Sequence, residues 1–337
     1  MKENIEDYRK AGFINLDEYF LNNPGSFTYP YYIDGYDEKN FWTQVGKEDK
    51  EKFIYVKPRE GKEAEDIYNV YAELLYQEMM KQVGIKTANF DASYYDGNVA
   101  TLSENVLDDY DKNEFIINSS ELLCSNRYSS DSSIEDLFNT IHDYCEYEHI
   151  DKKQEEKCYK DIQKVCIADI FLLSTDRDIN DLDFIAGKDD KDNNVLELAP
   201  LCHNTYALGS NFSKDEIIDM LDNCDDMEQR LDLCYTDLGI PDDKINDNYL
   251  YWEDSLYYFI DKDEELEEFA KYCAERMNID EAILKVEEKT KSKIPQEYKE
   301  FVRASFDQRF RALCDCLDLD YYKLMDEKYY EYEMEEK

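Results

Sequence analysis

The chain has 337 residues, 42% of them hydrophobic, which is enough for one large bilobal domain or two ordinary ones, each with its own core. Its 81 acidic residues against 39 basic ones leave a formal charge of −42. Such a surface repels a phosphate backbone and argues against direct DNA or RNA binding, while remaining compatible with a basic protein partner. No apolar stretch approaches the ~20 residues that cross a bilayer, and the start Met1-Lys2-Glu3-Asn4-Ile5-Glu6-Asp7 lacks the apolar core of a signal peptide, so the expectation is a cytoplasmic protein that does not engage membranes.

In chain order, the first third suggests strands. Aromatic and β-branched runs at Phe41–Val45, Phe53–Val56 and Asn98–Leu102 lie between Gly- and Asp-bearing turns. Asp34-Gly35-Tyr36-Asp37-Glu38-Lys39 reads either as a turn whose amides approach a phosphate or as a plain hairpin turn. One helix interrupts the strands. From Glu63 to Val83 the residues Ile67, Val70, Tyr71, Leu74, Leu75, Met79 and Val83 recur at helical spacing, and Gly84 follows as a cap. Ser103 to Leu107 reads as a connection, and from Ser119 onward the pattern is mostly helical. Helices are expected at Lys160–Leu173, Ser213–Leu221, Glu264–Met277 and Gln296–Leu317. Ser125 to Ser133 reads as a polar surface loop, and the Tyr- and Glu-rich tail from Met325 to Lys337 as a frayed helix or a disordered end. The ten cysteines include no CxxC pair and are expected to be reduced thiols; Cys314-Asp315-Cys316 fits no zinc spacing.

Chemistry concentrates in Ser174-Thr175-Asp176-Arg177-Asp178-Ile179-Asn180-Asp181-Leu182-Asp183-Phe184-Ile185, where an apolar run feeds a cluster of carboxylates and then resumes. A carboxylate just after a buried helix, with a second oxygen ligand five residues on, is how protein-kinase folds place a base beside a metal ligand, and Asp176 and Asp181 hold those positions. Lys57 closes the strand Phe53–Val56 and precedes Glu73 of the helix by sixteen residues, matching a phosphate-holding lysine and its orienting glutamate. Ordinary strand-edge protection by a lysine accounts for Lys57 equally simply. Downstream, Asp189 to Asn194 reads as a hairpin turn and Val195–Leu198 as a strand ending in Ala199-Pro200-Leu201-Cys202-His203. His203 stands where such a fold carries a second metal-binding aspartate.

In this order the pieces resemble the HipA-like kinases, a bacterial branch of the protein-kinase-like fold, from about Gly35 to Ala207. The resemblance rests on Gly35 and Lys39 of a Gly-x-x-x-Lys turn, the strand ending in Lys57, the helix through Glu73 to Gly84-Ile85, and Gly97 to Ser103 leading to a hinge. Its most specific part is Asp176-Arg177-Asp178-Ile179-Asn180-Asp181-Leu182-Asp183-Phe184 followed by Ala199-Pro200-Leu201-Cys202-His203. These are similar to Asp-Arg-His-x-x-Asn-x-Gly-Phe and Ala-Pro-Leu-Tyr-Asp, with Asp178, Asp181 and His203 departing from the pattern. The resemblance implies an α+β, bilobal protein-kinase-like fold. A small β-rich N-lobe with one major helix would span residues 1–104, and a larger helical C-lobe residues 105–337.

It also implies ATP-dependent phosphoryl transfer to a Ser or Thr of a protein substrate. Asp176 would act as base, Lys57 and Glu73 at the phosphates, Gly35, Lys39, Leu102 and Ser103 around the nucleotide, and Asp181, Asn180 and His203 at Mg²⁺ or Mn²⁺. A nucleotide-binding pseudokinase acting as a regulatory protein is the alternative, because Mg²⁺ prefers oxygen to imidazole ligands. Two further readings are an interaction protein using its acidic surface and a calcium loop starting at Asp176, Asp178 and Asn180. The calcium reading lacks the required glycine at Asp181 and glutamate at Gly187.

Overall fold

A computed structural model describes residues 9–10, 12–23, 41–45, 52–58, 65–110, 113–125, 133–174, 177, 179–202, 207–232, 252–261, 263–326 and 328; residues 41–45, 52–58 and 65–66 are described through their backbone. Two short strands, β1 (Arg9–Lys10) and β2 (Phe13–Asn15), precede helix α1 (Leu16–Asn22). Strands β3 (Phe41–Val45) and β4 (Lys52–Pro58) come next, then helix α2 (Glu65–Gln82) and the hairpin β5 (Phe90–Tyr95) and β6 (Asn98–Glu104). These strands form one sheet in the order β1-β2-β5-β6-β4-β3, antiparallel throughout except for the β2–β5 pair. The chain leaves β6 through Asn105, whose side chain accepts from the Leu107 amide and caps a 3₁₀ turn at Val106–Asp109. The strand thus runs two residues further than the hydrophobic pattern predicts.

A three-stranded antiparallel sheet follows, made of β7 (Glu114–Asn118), β8 (Asp183–Lys188) and β9 (Asn194–Leu198) in the order β7-β8-β9. Between β7 and β8 come helices α3 (Ser119–Ser125), α4 (Ile134–Tyr147) and α5 (Lys152–Phe171). The remaining described chain is helical: α6 (Lys214–Asp222), α7 (Cys224–Asp232), α8 (Trp252–Ile260), α9 (Glu264–Arg276), α10 (Ile279–Thr290) and α11 (Gln296–Cys316). The result is an α+β fold with a β-rich first part and a larger helical second part. Among the described residues, no helix is long and apolar enough to cross a membrane.

Helix α2 organises the core. It ends in a Schellman cap, in which the Ile85 amide donates to the Met80 carbonyl and the Gly84 amide to that of Lys81, with Gly84 at φ 76°. One face packs against β5 and β6, and the other elements it meets include α10. Tyr68, Val70, Tyr71, Leu74, Leu75, Tyr76, Met79 and Met80 are all buried, and their cluster continues into α5, α9, α10 and α11. The Tyr68 ring stacks on Tyr298 of α11 at 4.5 Å between centroids and 12° between planes. At the start of α10, the Gln82 side chain accepts from the Asn278 amide (2.7 Å) and donates to the Asn278 carbonyl (3.0 Å). The β1–β2 turn reaches the other end of α10. Gly12 sits there at φ 93°, so close that a Cβ would lie 1.9 Å from the Thr290 carbonyl oxygen.

Candidate functional site

The sheet side of the site is defined by register. Lys57 of β4 lies opposite Thr101 of β6, with Val56 opposite Leu102 and Tyr55 opposite Ser103. On the other edge of β6, Thr101 faces Ala92 and Ser103 faces Phe90, both members of the main core with α2. Ala100 and Leu102 instead join Ile14, Leu16 and Tyr19 in a second small cluster. Alternation along a strand therefore places the Leu102 and Ser103 side chains on opposite faces, and what they share toward a ligand is the strand backbone. Glu73 of α2 is 0% exposed. Burying a carboxylate to that extent is costly unless a cation or hydrogen-bond donors accompany it.

The carboxylate-rich loop begins where α5 stops. The Ser174 amide donates to the Asp169 carbonyl (3.0 Å) across Leu173, which holds φ 51° without being glycine. A 3₁₀ turn follows at Ile179–Asp181. Ser119, at the start of α3, fastens this turn from outside: its hydroxyl donates to the Ile179 carbonyl (2.5 Å) and its amide to that of Leu182 (3.1 Å). β8 then opens with Asp183, whose carboxylate accepts from the Asn118 side chain at 2.8 Å. Burial pushes the Asp183 carboxyl up, and the Asn118 donor offsets part of that.

The β8–β9 hairpin returns the chain to the same level, since the Ala199 amide donates to the Asp183 carbonyl at 2.8 Å. Just beyond, Leu201 bridges to the segment after α2: its amide donates to the Lys86 carbonyl (3.1 Å) and its carbonyl accepts from Ala88 (2.9 Å). The stretch leading to residue 203 and the stretch bearing Asp181 thus leave from one end of a single hairpin, tied to the end of the helix that carries Glu73. β8 also ends the calcium-loop reading. Residues 183–188 pair in a sheet, and Gly187 lies opposite Glu114 and Val195, so no loop-then-helix follows Asp181.

Gly35, Lys39, Asp176, Asp178 and His203 lie outside the described residues, as do most of the serine-rich loop and the tail beyond residue 328; Lys57 and Asn180 are described through their backbone. Asp181 is half-buried, and its charge helps hold the Arg177 guanidinium protonated. Among the described residues, no three His, Cys, Asp or Glu side chains converge on one metal position. Asp181 offers a hard oxygen donor suited to Mg²⁺ or Mn²⁺, whereas an imidazole at 203 is a poor match for Mg²⁺.

Three residues not expected from the sequence form a closed polar triangle behind this loop. Tyr76 of α2 and Asp169 of α5 are each 0% exposed, and Arg177, the residue after Asp176, has 1% of its side chain exposed. Arg177 Nε donates to Asp169 Oδ2 (2.5 Å), Arg177 Nη2 donates to the Tyr76 hydroxyl (2.9 Å), and that hydroxyl donates to Asp169 Oδ1 (2.6 Å). Burial pushes the Asp169 carboxyl up and works against the Arg177 charge. A guanidinium has no accessible neutral form, so Arg177 carries its charge, and that charge with its hydrogen bond works against the upward push of burial on Asp169. A signal for it was present in the sequence: Asp169 is a lone carboxylate within Ile167-Ala168-Asp169-Ile170-Phe171.

No family model and no curated protein matches the sequence. Solved structures do match. The proinflammatory kinase CtkA of Helicobacter pylori superposes with a TM-score of 0.62 at 14% identity, over 85% of this chain and 95% of that one. HipA of Shewanella oneidensis MR-1, from a toxin–antitoxin system and solved as a complex with HipB and operator DNA, superposes with a TM-score of 0.50 at 13% identity, over 92% of this chain and 72% of that one. With both likenesses running over most of the chain, and the strand, helix, loop and hairpin in the order described, the protein has the HipA-like kinase fold.

Proposed function

We propose that the chain is a HipA-like ATP-dependent kinase that transfers the γ-phosphoryl group to a Ser or Thr of a protein substrate. The observation that carries this is Glu73, fully buried on the helix that packs against β6, the strand hydrogen-bonded to the one bearing Lys57. In this reading Lys57 holds the ATP phosphates and Glu73 fixes Lys57. Gly35 and Lys39 close over the phosphates, and the β6 backbone at Leu102 and Ser103 borders the adenine. Asp176 accepts or orients the substrate hydroxyl proton. Asp181, with Asn180 or His203, would hold Mg²⁺ or Mn²⁺, which supplies charge neutralisation at the phosphates. This reading divides the chain into an N-lobe of residues 1–104 and a C-lobe of 105–337, a division supported by the presence of two separate sheets. Protein substrates with basic surfaces fit a chain of charge −42.

His203 favours a second reading, a nucleotide-binding pseudokinase with a regulatory role. Phosphoryl transfer depends mostly on positioning and electrostatics, so losing one oxygen ligand suppresses transfer more than it suppresses binding. One preparation separates the two readings. Thermal shift and ³²P transfer are measured with ATP and Mg²⁺, Mn²⁺ or no metal, beside Lys57→Ala and Asp176→Ala. A shift that needs Lys57 together with transfer lost in Asp176→Ala supports the kinase. A shift without transfer supports the pseudokinase, and no shift with any metal removes both.

A further inference from the structure

We propose that the Tyr76–Asp169–Arg177 triangle is a positioning device that fixes the loop after α5, at Arg177, against the helix carrying Glu73. The inference rests on the kinase reading above for its catalytic consequence, and on geometry alone for its structural one. Tyr76 lies one helical turn beyond Glu73 on α2, and Arg177 follows Asp176 directly, so one hydroxyl and one guanidinium connect the two functional elements. Each contact uses a distinct atom. The tyrosine gives its single proton to Asp169 Oδ1 and takes one from Arg177 Nη2, while Asp169 Oδ2 receives Nε. That leaves little freedom for the guanidinium to turn without breaking two bonds at once.

The arrangement is poorly explained as a stabiliser. Buried ion pairs are often no better for stability than an apolar core of equal volume, because desolvation offsets the attraction. What a closed polar ring provides is one defined geometry. The loop needs such a device on this side. Ser119 pins its far end at Ile179 and Leu182, and the near end leaves α5 through Leu173 in a conformation that side chains disfavour. Arg177 lies between these anchors. Asp169 additionally accepts the Ser174 amide through its backbone, so the same residue ends α5 and grips the loop.

The test compares wild type with Tyr76→Phe, which removes one oxygen and leaves the ring and the Arg177–Asp169 pair. Hydrogen exchange is followed in the peptide spanning Ser174 to Leu182 and in peptides of α9 and α10, alongside phosphoryl transfer at varied ATP. The expected result is exchange in the loop peptide about tenfold faster with α9 and α10 unchanged, and kcat lowered about tenfold or more with KM for ATP unchanged. Asp169→Asn, which keeps a hydrogen-bond acceptor but removes the charge, is expected to give the same pattern. Loop protection equal to wild type in Tyr76→Phe overturns the proposal, as does an even loss across the loop, α9 and α10, which would mark a general stabiliser. Faster loop exchange with an unaltered kcat overturns the catalytic half. If the wild-type protein transfers no phosphate, the kinase reading fails alone, because the exchange comparison still decides the positioning claim.

Discussion

Tyr298 is fully buried in α11, stacked on Tyr68 of α2, and its hydroxyl donates to the Leu208 carbonyl at 3.3 Å. Leu208 sits at φ 54° in the turn Ala207–Gly209, the first described residues after position 203. The ring and the hydroxyl therefore do separable things. Tyr298→Ala removes a buried ring of about 150–250 Å² and is expected to cost about 3–5 kcal/mol, the range for emptying an aromatic core site. Tyr298→Phe keeps the stack and gives up one long hydrogen bond, for a cost of about 0.5–1.5 kcal/mol. Urea unfolding followed by far-ultraviolet circular dichroism reads both from the midpoint, provided the slope is unchanged. A cycle with Tyr68→Ala should show a coupling of about 0.5–1.5 kcal/mol between the two rings. A Tyr298→Ala cost below about 1.5 kcal/mol at constant slope, or additive Tyr68 and Tyr298 effects, would refute the claim that this stack joins α2 to α11.

Glu287 accepts from Lys293 (2.5 Å), Lys299 (3.0 Å) and the Ile294 amide (3.2 Å), and although burial pushes its carboxyl up, these donors outweigh it and hold it below the usual range. A carboxyl depressed in the folded state stabilises above its unfolded pKa of about 4.3 and loses that contribution as pH falls through the folded value. Glu287→Gln should therefore be about 1–3 kcal/mol less stable at pH 7 and converge on wild type as pH drops below about 4, measured by urea unfolding at each pH. Gly12→Ala should cost more than about 2 kcal/mol, because the added methyl meets the Thr290 carbonyl and the backbone is left-handed there; a melting temperature equal to wild type would contradict the described β1–β2 turn. Burial pushes the Cys158, Cys166 and Cys273 thiols far up and Cys145 to about 12, so these four should react with a thiol reagent at neutral pH only as the protein unfolds.

Periodic apolar spacing was the strongest guide to the fold. β3 matches the predicted run from Phe41 to Val45, and α2, α6, α9 and α11 fall within two residues of expectation, because each buries a regular face. α5 starts eight residues earlier than predicted, at Lys152, where Lys153, Gln154, Glu155, Glu156 and Lys157 hide the helical period and Asp151 supplies the cap. β5 was missed because Asp91, Ser93 and the two tyrosines break the apolar alternation, although pairing with β6 and β2 buries Phe90, Ala92 and Ser93. Tyr257 and Tyr258 similarly disguise α8. Near the site, motif order brought out the β8–β9 hairpin. Of the Tyr76–Asp169–Arg177 triangle the sequence showed only the lone Asp169 in its apolar run; its partners could not be read, since they lie 93 and 8 residues away and only folding brings them together.

The attachment of α2 bears on how this protein can be switched. In the kinase reading proposed above, Glu73 has to stay beside Lys57, and outward rotation of α2 would be an off-state. Here rotation would unstack Tyr68 from Tyr298, open the reciprocal Gln82–Asn278 pair and pull the Tyr76 hydroxyl from Asp169 and Arg177. At about 0.5–1.5 kcal/mol for each of these neutral contacts and more for those to charged groups, the swung-out conformer lies several kcal/mol up, populated at about one molecule in a thousand or fewer. Any partner or ligand that displaced α2 would have to supply that free energy through tighter binding to the displaced conformer.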